Sequence, residues 1–372
     1  MSDAEIPISL RTCIQKVATG PEYSKNLSFE EAHTAMREIL SPDHDPVRAA
    51  IYLIALRMKR ETDDENKGSL QGLLDTTRQQ VAPVKELVDI ADPYDGQSRG
   101  LPASSFLAPV LAAAGVPAVV HGLESIGPKY GATHHKVLKA AGKDVLLSPE
   151  AARDQVGNAD IGWTYIDQSQ SNPELYDLRD LRQRMVKRTV ITTVEVLTGP
   201  IRAREKTHLL TGYVHKAYPP VYSSLARFSG FDSAMIVRGV EGGVVPSLQQ
   251  PALMTHYGNP AEEDQVTELD PKALGIEQST RATPIPKDLP KAAHRDDEIA
   301  STYDADDIAE AAAKAGIAAL RGEKGPAYDS LVYAGAIVLH HLGRAASMPE
   351  AADEIRRIID SGAALARFEA AA

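Results

Sequence analysis

The first quarter of the chain repeats apolar residues every three or four positions, the spacing of a buried face on an α-helix. Two capping boxes and one Asp-Pro pair mark the helix starts. These starts are Ser28-Phe-Glu-Glu31, Thr62-Asp-Asp-Glu65 and Asp45-Pro46. The pattern predicts a helical domain over residues 1–85, and no candidate chemistry falls on its packing helices.

Beyond this domain the pattern changes to short apolar runs separated by glycine-bearing turns. Two of the runs flank a helix rich in small residues, which predicts a β-loop-α-β-loop unit. The predicted elements are strands at 88–90, 117–120, 206–214 and 234–237 and a helix at 104–114. We therefore expect an α/β domain over residues 86–372, with a central, mainly parallel sheet flanked by helices.

Two further segments carry mixed signals. Residues 189–196 contain β-branched residues that favour a strand, whereas Thr192-Thr-Val-Glu195 is a capping-box pattern that favours a helix. A helical segment near 175–200 is expected to join the N-terminal domain. Residues 244–300 contain seven prolines, which predict a long irregular excursion with short strands, exposed or lying across the sheet.

Composition narrows the function. The chain has 372 residues, 43% of them hydrophobic and 24% charged, as expected for a globular protein of two domains. A net charge of −11 argues against a nucleic-acid partner, because nucleic-acid binding needs a basic surface. The single cysteine, Cys13, and the acidic opening of the chain predict a cytoplasmic protein. No apolar run is long enough to span a bilayer, so no membrane partner is expected.

A short glycine loop is the most ligand-like segment. In Gly127-Pro-Lys-Tyr-Gly131, two glycines allow backbone N–H groups to face a concavity, and Lys129 adds a positive charge. Such a loop suits a phosphate or a carboxylate. The alternative is a solvated turn with an exposed lysine.

Two other segments carry candidate charges. Five basic residues lie between Arg179 and Arg188, and an arginine fork among them could grip a carboxylate, although a solvated helix face has the same pattern. The glycine loop Arg238-Gly-Val-Glu-Gly-Gly243 carries one acid, Glu241. This loop could contact a ligand or a metal, but a tight turn needs the same glycines.

Several segments match a known family in the same order along the chain. They are Leu27-Ser-Phe-Glu-Glu-Ala32, Ala55-Leu-Arg-Met-Lys-Arg-Glu-Thr62, residues 112–122, Arg188-Thr189, Leu197-Thr-Gly-Pro200 and Leu320-Arg-Gly-Glu-Lys-Gly-Pro326. The chain resembles the anthranilate phosphoribosyltransferase family. The resemblance implies a nucleoside-phosphorylase-like α/β domain behind a helical bundle, a homodimer formed through that bundle, and a relation to tryptophan biosynthesis.

The loop that should hold the donor has changed. In the family, a G-T-G-G-D-G loop wraps the pyrophosphate of phosphoribosyl pyrophosphate (PRPP). The aligned residues 91–96 keep only Asp95 and Gly96. Pro93 lacks a backbone N–H, and Asp92 is expected to place negative charge where an anion would bind. Ordinary PRPP chemistry is therefore not expected.

Other motifs have changed as well. The family's K-H-G-N has become Val120-His-Gly-Leu123, whereas its S-S-K-S-G keeps Lys129 and Gly131. The D-E pair that holds Mg²⁺ in the family aligns with Val244-Val245. Glu241 is the nearest acid and is a weak metal candidate. The family implies Mg²⁺, but its carboxylate pair is missing, so we leave the cofactor unassigned.

The resemblance also implies roles for individual residues. The expected donor or phosphate contacts are Asp95, Gly96, Ser104, Ser105, Lys129 and Gly131, and the expected acceptor contacts are Arg182 and Arg188. His121 is expected to assist proton transfer, although a histidine at a strand end is about as often structural. We expect Lys129 and Arg182 to open onto one hollow that binds a small anion or sugar phosphate.

Two hypotheses for the function stay open. The first is pentosyl transfer to a small acceptor, such as an acidic aromatic compound or a similar small anion, by a family member with an altered donor or acceptor. The second is a catalytically silent family member that binds a small anion, nucleotide or nucleic acid as a sensor or scaffold. The acidic charge of the chain ranks the nucleic acid last among these ligands.

Overall fold

Four helices open the chain. The computed structural model describes residues 7–20, 22–293 and 301–372. The three predicted helix starts are confirmed, because Ser28 and Thr62 form capping boxes and Asp45 caps its helix ahead of Pro46. The helices are α1 (Leu10–Val17), α2 (Phe29–Ile39), α3 (Pro46–Lys59) and α4 (Asp63–Thr76).

A seven-stranded sheet forms the centre of the molecule. The strands of the described residues are β1 (Gln80–Val81), β2 (Glu86–Ala91), β3 (Ala118–Gly122), β4 (Trp163–Asp167), β5 (Ile201–Arg202), β6 (Lys206–Gly212), β7 (Ser233–Val237), β8 (Ala252–Tyr257) and β9 (Gln265–Leu269). The order across the large sheet is β4-β3-β2-β6-β7-β8-β9, and β1 pairs separately with β5. The first five strands of that order run parallel, and β8 and β9 are antiparallel. The predicted α/β fold with a mainly parallel sheet is confirmed.

Helices pack on both faces of this sheet. The helices after the bundle are α5 (Leu107–Ala113), α6 (His134–Ala140), α7 (Pro149–Gly157), α8 (Gln168–Ser171), α9 (Pro173–Asp177), α10 (Arg179–Met185), α11 (Val190–Val194), α12 (Tyr218–Phe228), α13 (Ala305–Leu320), α14 (Pro326–His341), α15 (Met348–Asp360) and α16 (Ala363–Ala370). Val88 and Ile90 of β2 face the core formed with α5 and α13 to α16, whereas Leu209 and Ile236 face the bundle and α12. Among the described residues, no helix is both long and apolar enough to cross a membrane.

The structure shows the conformation of the two segments whose sequence patterns were ambiguous. Most of residues 189–196 is helical, in α11 and the 3₁₀-helix Glu195–Leu197, because Val190, Ile191 and Val194 bury one face against the bundle. The Pro-rich excursion is more regular than predicted. Its strands β8 and β9 do not cross the sheet but extend it beyond β7. Residues 294–300 of the excursion lie outside the described residues.

The polypeptide passes between the bundle and the sheet three times. After α4 it enters the sheet, it returns in α9 to α11 to pack on α3 and α4, and it leaves again through β5. The crossing segments are bonded side by side. The N–H of Arg78 donates to the carbonyl of Ser171 (2.7 Å), and the N–H of Gln80 donates to that of Pro200 (2.9 Å).

A group of histidines lies where α14 ends against β6, β7 and β8. His208 Nδ1 and His341 Nε2 lie 2.8 and 3.0 Å from the hydroxyl of Ser233. Burial, then the neighbouring His256, His208 and His340, lower the pKa of His341 from 6.5 to about 4. Only the neutral imidazole therefore fits this position above that pH.

This pKa predicts a loss of stability in mild acid. Below pH 6.5 His341 is protonated in the unfolded chain but stays neutral in the folded chain. The free energy of unfolding therefore falls with pH until the pH reaches about 4. We expect the loss to reach roughly 2–4 kcal/mol for this group. Urea unfolding of the wild type and of His341→Gln at several pH values measures it. Equal pH slopes in the two proteins would contradict the prediction.

Candidate functional site

A cavity lies where the carboxyl ends of the parallel strands face the helical bundle. Its volume is about 150 Å³. Asp95 follows β2, Gly212 ends β6, Glu241 follows β7, and Arg57 comes from α3 on the opposite side. Arg188, just before α11, also lines it. Ligands of open α/β sheets bind at this edge, and here both domains contribute to the walls.

Asp92 fixes the loops around this cavity. Its carboxylate accepts hydrogen bonds from the Ser104 hydroxyl (2.5 Å) and the Val244 N–H (2.7 Å), and it lies 3.0 Å from His134 Nε2. Burial would raise the pKa of Asp92, but His134 and the hydrogen bonds outweigh it and the pKa is lowered. The sequence-based expectation that Asp92 places its charge in the anion site is wrong, because the carboxylate is buried among these partners.

The predicted donor serines lie in the same network. Ser104 binds Asp92, and the Ser105 hydroxyl lies 2.8 Å from Nδ1 of His134. Both serines are fully buried. In this arrangement their hydroxyls hold the loop that follows β2 and do not face the cavity.

Two glycines allow the loops after β2 and β3 to touch. The N–H of Gly131 donates to the carbonyl of Asp95 (2.9 Å), and the N–H of Gly96 donates to that of Pro93 (3.1 Å). A Cβ at Gly131 would lie 2.4 Å from the carbonyl oxygen of Gln97. The glycines are therefore needed for close backbone approach, and their N–H groups are already bonded within the protein.

The cations expected at the donor side are paired with carboxylates. Lys129 Nζ lies 3.3 Å from Asp95 and 3.7 Å from Glu241. Arg188 donates a hydrogen bond to Asp95 as well. Asp95 is buried, and its charge is thus shared between two cations from different loops.

Arg182 is also bound within the chain. Its two terminal nitrogens donate to the two oxygens of Glu195 at 2.8 and 2.6 Å, and the Gln168 amide donates to the same carboxylate (3.1 Å). Arg182 lines a second hollow of about 230 Å³ together with Pro128 of the glycine loop. Lys129 instead meets Asp95 and Glu241, which line the first cavity.

The two hollows adjoin. Thr189 and Thr192 line both of them. Lys129 and Arg182 thus lie near neighbouring hollows and not in one shared pocket. The arginine fork that sequence analysis assigned to an acceptor carboxylate is occupied by a carboxylate of the protein itself.

His121 lies below the loops, at the end of β3. Its ring nitrogens are 2.5 Å from the Tyr94 hydroxyl and 2.7 Å from Asp89. The imidazole is 1% exposed and Tyr94 is buried. Both nitrogens already have partners, so proton transfer by His121 would require Tyr94 to move.

Comparison with known proteins identifies the family of this chain. The glycosyl transferase family's helical bundle domain matches residues 11–77, and its a/b domain matches residues 95–365. The chain belongs to this glycosyl transferase family. An anthranilate phosphoribosyltransferase of Thermomicrobium roseum is 28% identical over 365 residues, which cover 96% of this chain and 94% of that relative.

Solved structures of the glycosyl transferase family show the same fold. The crystal structure of anthranilate phosphoribosyltransferase from Thermus thermophilus has a TM-score of 0.74 at 20% identity and covers 98% of both chains. The Saccharomyces cerevisiae enzyme in complex with PRPP and Mg has a TM-score of 0.73 at 17% identity, covering 97% of this chain and 96% of that one. The family and fold expected from the sequence are therefore confirmed.

The acids of this cavity are not available to bind the Mg that the yeast complex contains. Glu241 accepts hydrogen bonds from the N–H groups of Ser98 and Arg99, and Asp95 is paired with Lys129 and Arg188. Metal ligation needs free oxygen lone pairs. Moreover, the part of the chain that the structure describes has no group of three His, Cys, Asp or Glu side chains that could hold a metal.

Sequence reasoning missed the partners that fill these positions. Ser98 and Arg99 follow Asp95-Gly96 but belong to no motif themselves. Arg57 lies on a helix whose pattern indicates only packing. Glu195 stands out in the sequence only as part of a capping-box pattern. Its actual role, holding Arg182, joins two separate helices, and no local spacing encodes such a pair.

The Arg182 pair gives a prediction about stability. In Arg182→Ala the buried Glu195 loses its cation, and we expect a cost of about 3–5 kcal/mol in the free energy of unfolding. Arg184→Ala removes an arginine from the same helix that is 73% exposed and should change it by less than about 0.5 kcal/mol. Urea unfolding measures both. Equal stability of the two variants would show that the pair is not structural.

Proposed function

We propose that the chain binds a sugar phosphate in the cavity between the bundle and the strand ends and transfers its pentosyl group to a small acceptor. The observation that supports this is the charge of the cavity. Two arginines, Arg57 and Arg188, each 44% exposed, line it together with the carboxylates of Asp95 and Glu241. Paired charges of this kind suit a monophosphate better than a diphosphate.

The proposed donor therefore has a leaving group with less charge than the diphosphate of PRPP. In the transfer, the bond between C1 of the pentose and the leaving oxygen breaks and its electron pair stays on that oxygen. The acceptor then forms a new bond to C1, and the proton that it loses passes to the released phosphate. No side chain needs to attack, so the protein positions the two reactants and stabilises the leaving group.

The other cavity residues fit an uncharged part of the ligand. Tyr213, Tyr218 and Tyr222 line it with four threonines. Burial, followed by Tyr218 and nearby carboxylates, raises the pKa of Tyr222, so this phenol stays neutral at physiological pH. Aromatic faces and neutral hydroxyls can hold a sugar ring or an aromatic acceptor.

A second function is favoured by the internal pairing of the site. Arg182 is bound by Glu195, and His121 is enclosed by Asp89 and Tyr94. A catalytically silent family member that binds a small anion as a sensor would need neither group. Binding without turnover distinguishes this function from pentosyl transfer.

Titration calorimetry with ribose 1-phosphate and with PRPP tests the proposed donor. We expect ribose 1-phosphate to bind the wild type, and Arg188→Ala to weaken it about tenfold, the effect of losing one charge-assisted hydrogen bond. Arg184→Ala, on the exposed face of α10, serves as the control and should bind as the wild type does.

PRPP should bind weakly, and adding Mg²⁺ should not strengthen it. Tight binding of PRPP that requires Mg²⁺ would overturn the altered donor. Binding of ribose 1-phosphate without pentosyl transfer to any of a set of aromatic and heterocyclic acceptors would favour the sensor.

A homodimer formed through the bundle is also proposed. Helix α3 exposes Val47, Ile51 and Met58 at 66%, 45% and 78%, and their spacing places them on one face. An apolar helix face of this kind suits a second copy of the chain. Light scattering after size exclusion should give a dimer for the wild type and a monomer for Ile51→Glu. Val266→Glu, at an apolar position of β9 that is 64% exposed, should remain dimeric; a monomeric wild type would exclude this dimer.

A further inference from the structure

The carboxylate of Glu241 is held as a bound anion would be. Its oxygens accept the N–H of Ser98 (3.1 and 3.3 Å), the hydroxyl of Ser98 (3.3 Å) and the N–H of Arg99 (2.8 Å). Lys129 Nζ lies 3.7 Å away. Successive backbone N–H groups with a nearby cation form a typical anion site, and here a side chain of the same protein fills it.

The donors and the acceptor belong to different segments. Ser98 and Arg99 follow β2 and are fixed by the backbone bonds that join Gln97 to Ala132 at 3.0 and 2.8 Å. Glu241 lies in the loop after β7. The donors therefore keep their positions when the carboxylate leaves, because none of the bonds that fix them involves Glu241.

The backbone of Glu241 is unusual for its residue type. Its φ of 55° lies in the left-handed region, which favours glycine and disfavours a residue with a long side chain. Its neighbours Gly242 and Gly243 would tolerate such a turn more easily. The conformation that directs this carboxylate to the donors is thus one that the local sequence does not favour.

A larger polar hollow adjoins the site. It has a volume of about 660 Å³ and is lined by Glu241 and by three arginines, Arg99, Arg238 and Arg281, which are exposed. Within the described residues none of the three makes an ion pair. An anion that enters from solvent would meet these cations directly beside the donors that hold Glu241.

We propose that Glu241 is a resident substitute for an anionic ligand, and that a phosphate group entering through the arginine-lined hollow competes with its carboxylate for the donors of Ser98, Arg99 and Lys129. A phosphate dianion carries more charge than the carboxylate and gains the three arginines. This inference rests on the proposed function only in taking the ligand to be a phosphate; the competition itself does not require pentosyl transfer. Glu241 then sets the affinity of this site for phosphate.

Inorganic phosphate binding measured by titration calorimetry tests this inference. Glu241→Gly removes the carboxylate and suits the left-handed backbone, so the variant should fold. We expect it to bind phosphate at least tenfold more tightly than the wild type. Glu263→Ala removes an exposed acid in the turn between β8 and β9 and controls for net charge; it should bind as the wild type does.

Two further variants keep the result interpretable. Glu241→Gln retains the shape of the side chain and one acceptor oxygen without the charge, so it should increase the affinity for phosphate less than Glu241→Gly does. Adding Lys129→Met to Glu241→Gly should abolish the gain. Equal phosphate affinity in the wild type and Glu241→Gly, with Glu241→Gln also unchanged, would overturn the inference. Tighter phosphate binding without pentosyl transfer would leave the inference intact and count against the enzymatic function alone.

Discussion

The buried carboxylate of Asp92 is the interaction on which the candidate site depends. It receives hydrogen bonds from the segment before α5 and from the loop after β7, and it lies beside His134 at the start of α6. A carboxylate with several donors in a buried site gains more than one bond could give. This arrangement holds three loops at the strand ends at a fixed distance. The cavity, the glycine contact and the position of Glu241 all follow from that spacing.

The cations of the candidate site are paired with acids of the same chain. Lys129 and Arg188, which the sequence resemblance assigned to ligand binding, are paired with Asp95, and Glu241 lies near Lys129 as well. Arg182 is neutralised by Glu195 in the same way. Burying Lys129 or Arg182 without a partner would be costly. The paired acids therefore stabilise the arginines and lysine in place, and at the same time they lower the attraction of the site for a highly charged donor.

Local structure could be predicted from sequence because its signals lie within a few residues. The caps at Ser28, Asp45 and Thr62 and the apolar runs of β2, β3 and β7 fall into this class. The content of the site could not be predicted in this way. Glu241 binds donors 142 and 143 residues away, and Arg182 finds Glu195 on another helix. Motif alignment identified the segments that form the site, but the partner of each charge is decided by packing. The strands β8 and β9 were hard to predict for a related reason, since prolines on both sides obscured the short edge strand β9 and its neighbour β8.

The three side-by-side crossings between the bundle and the sheet restrict how the two parts can move. The three segments are hydrogen-bonded to one another, Arg78 to Ser171 and Gln80 to Pro200, and therefore act as one connection and not as three independent linkers. Such a connection restricts sliding and twisting of the bundle relative to the sheet more than it restricts a hinge-like bend between them. The hydrophobic core that the bundle shares with Leu209 and Ile236 of the sheet restricts movement further, so a bend at these crossings would have to be small. Arg57, on the bundle side, and Asp95, at the strand ends, line the same cavity, so the separation of these two charges depends on how rigidly the crossings hold the bundle.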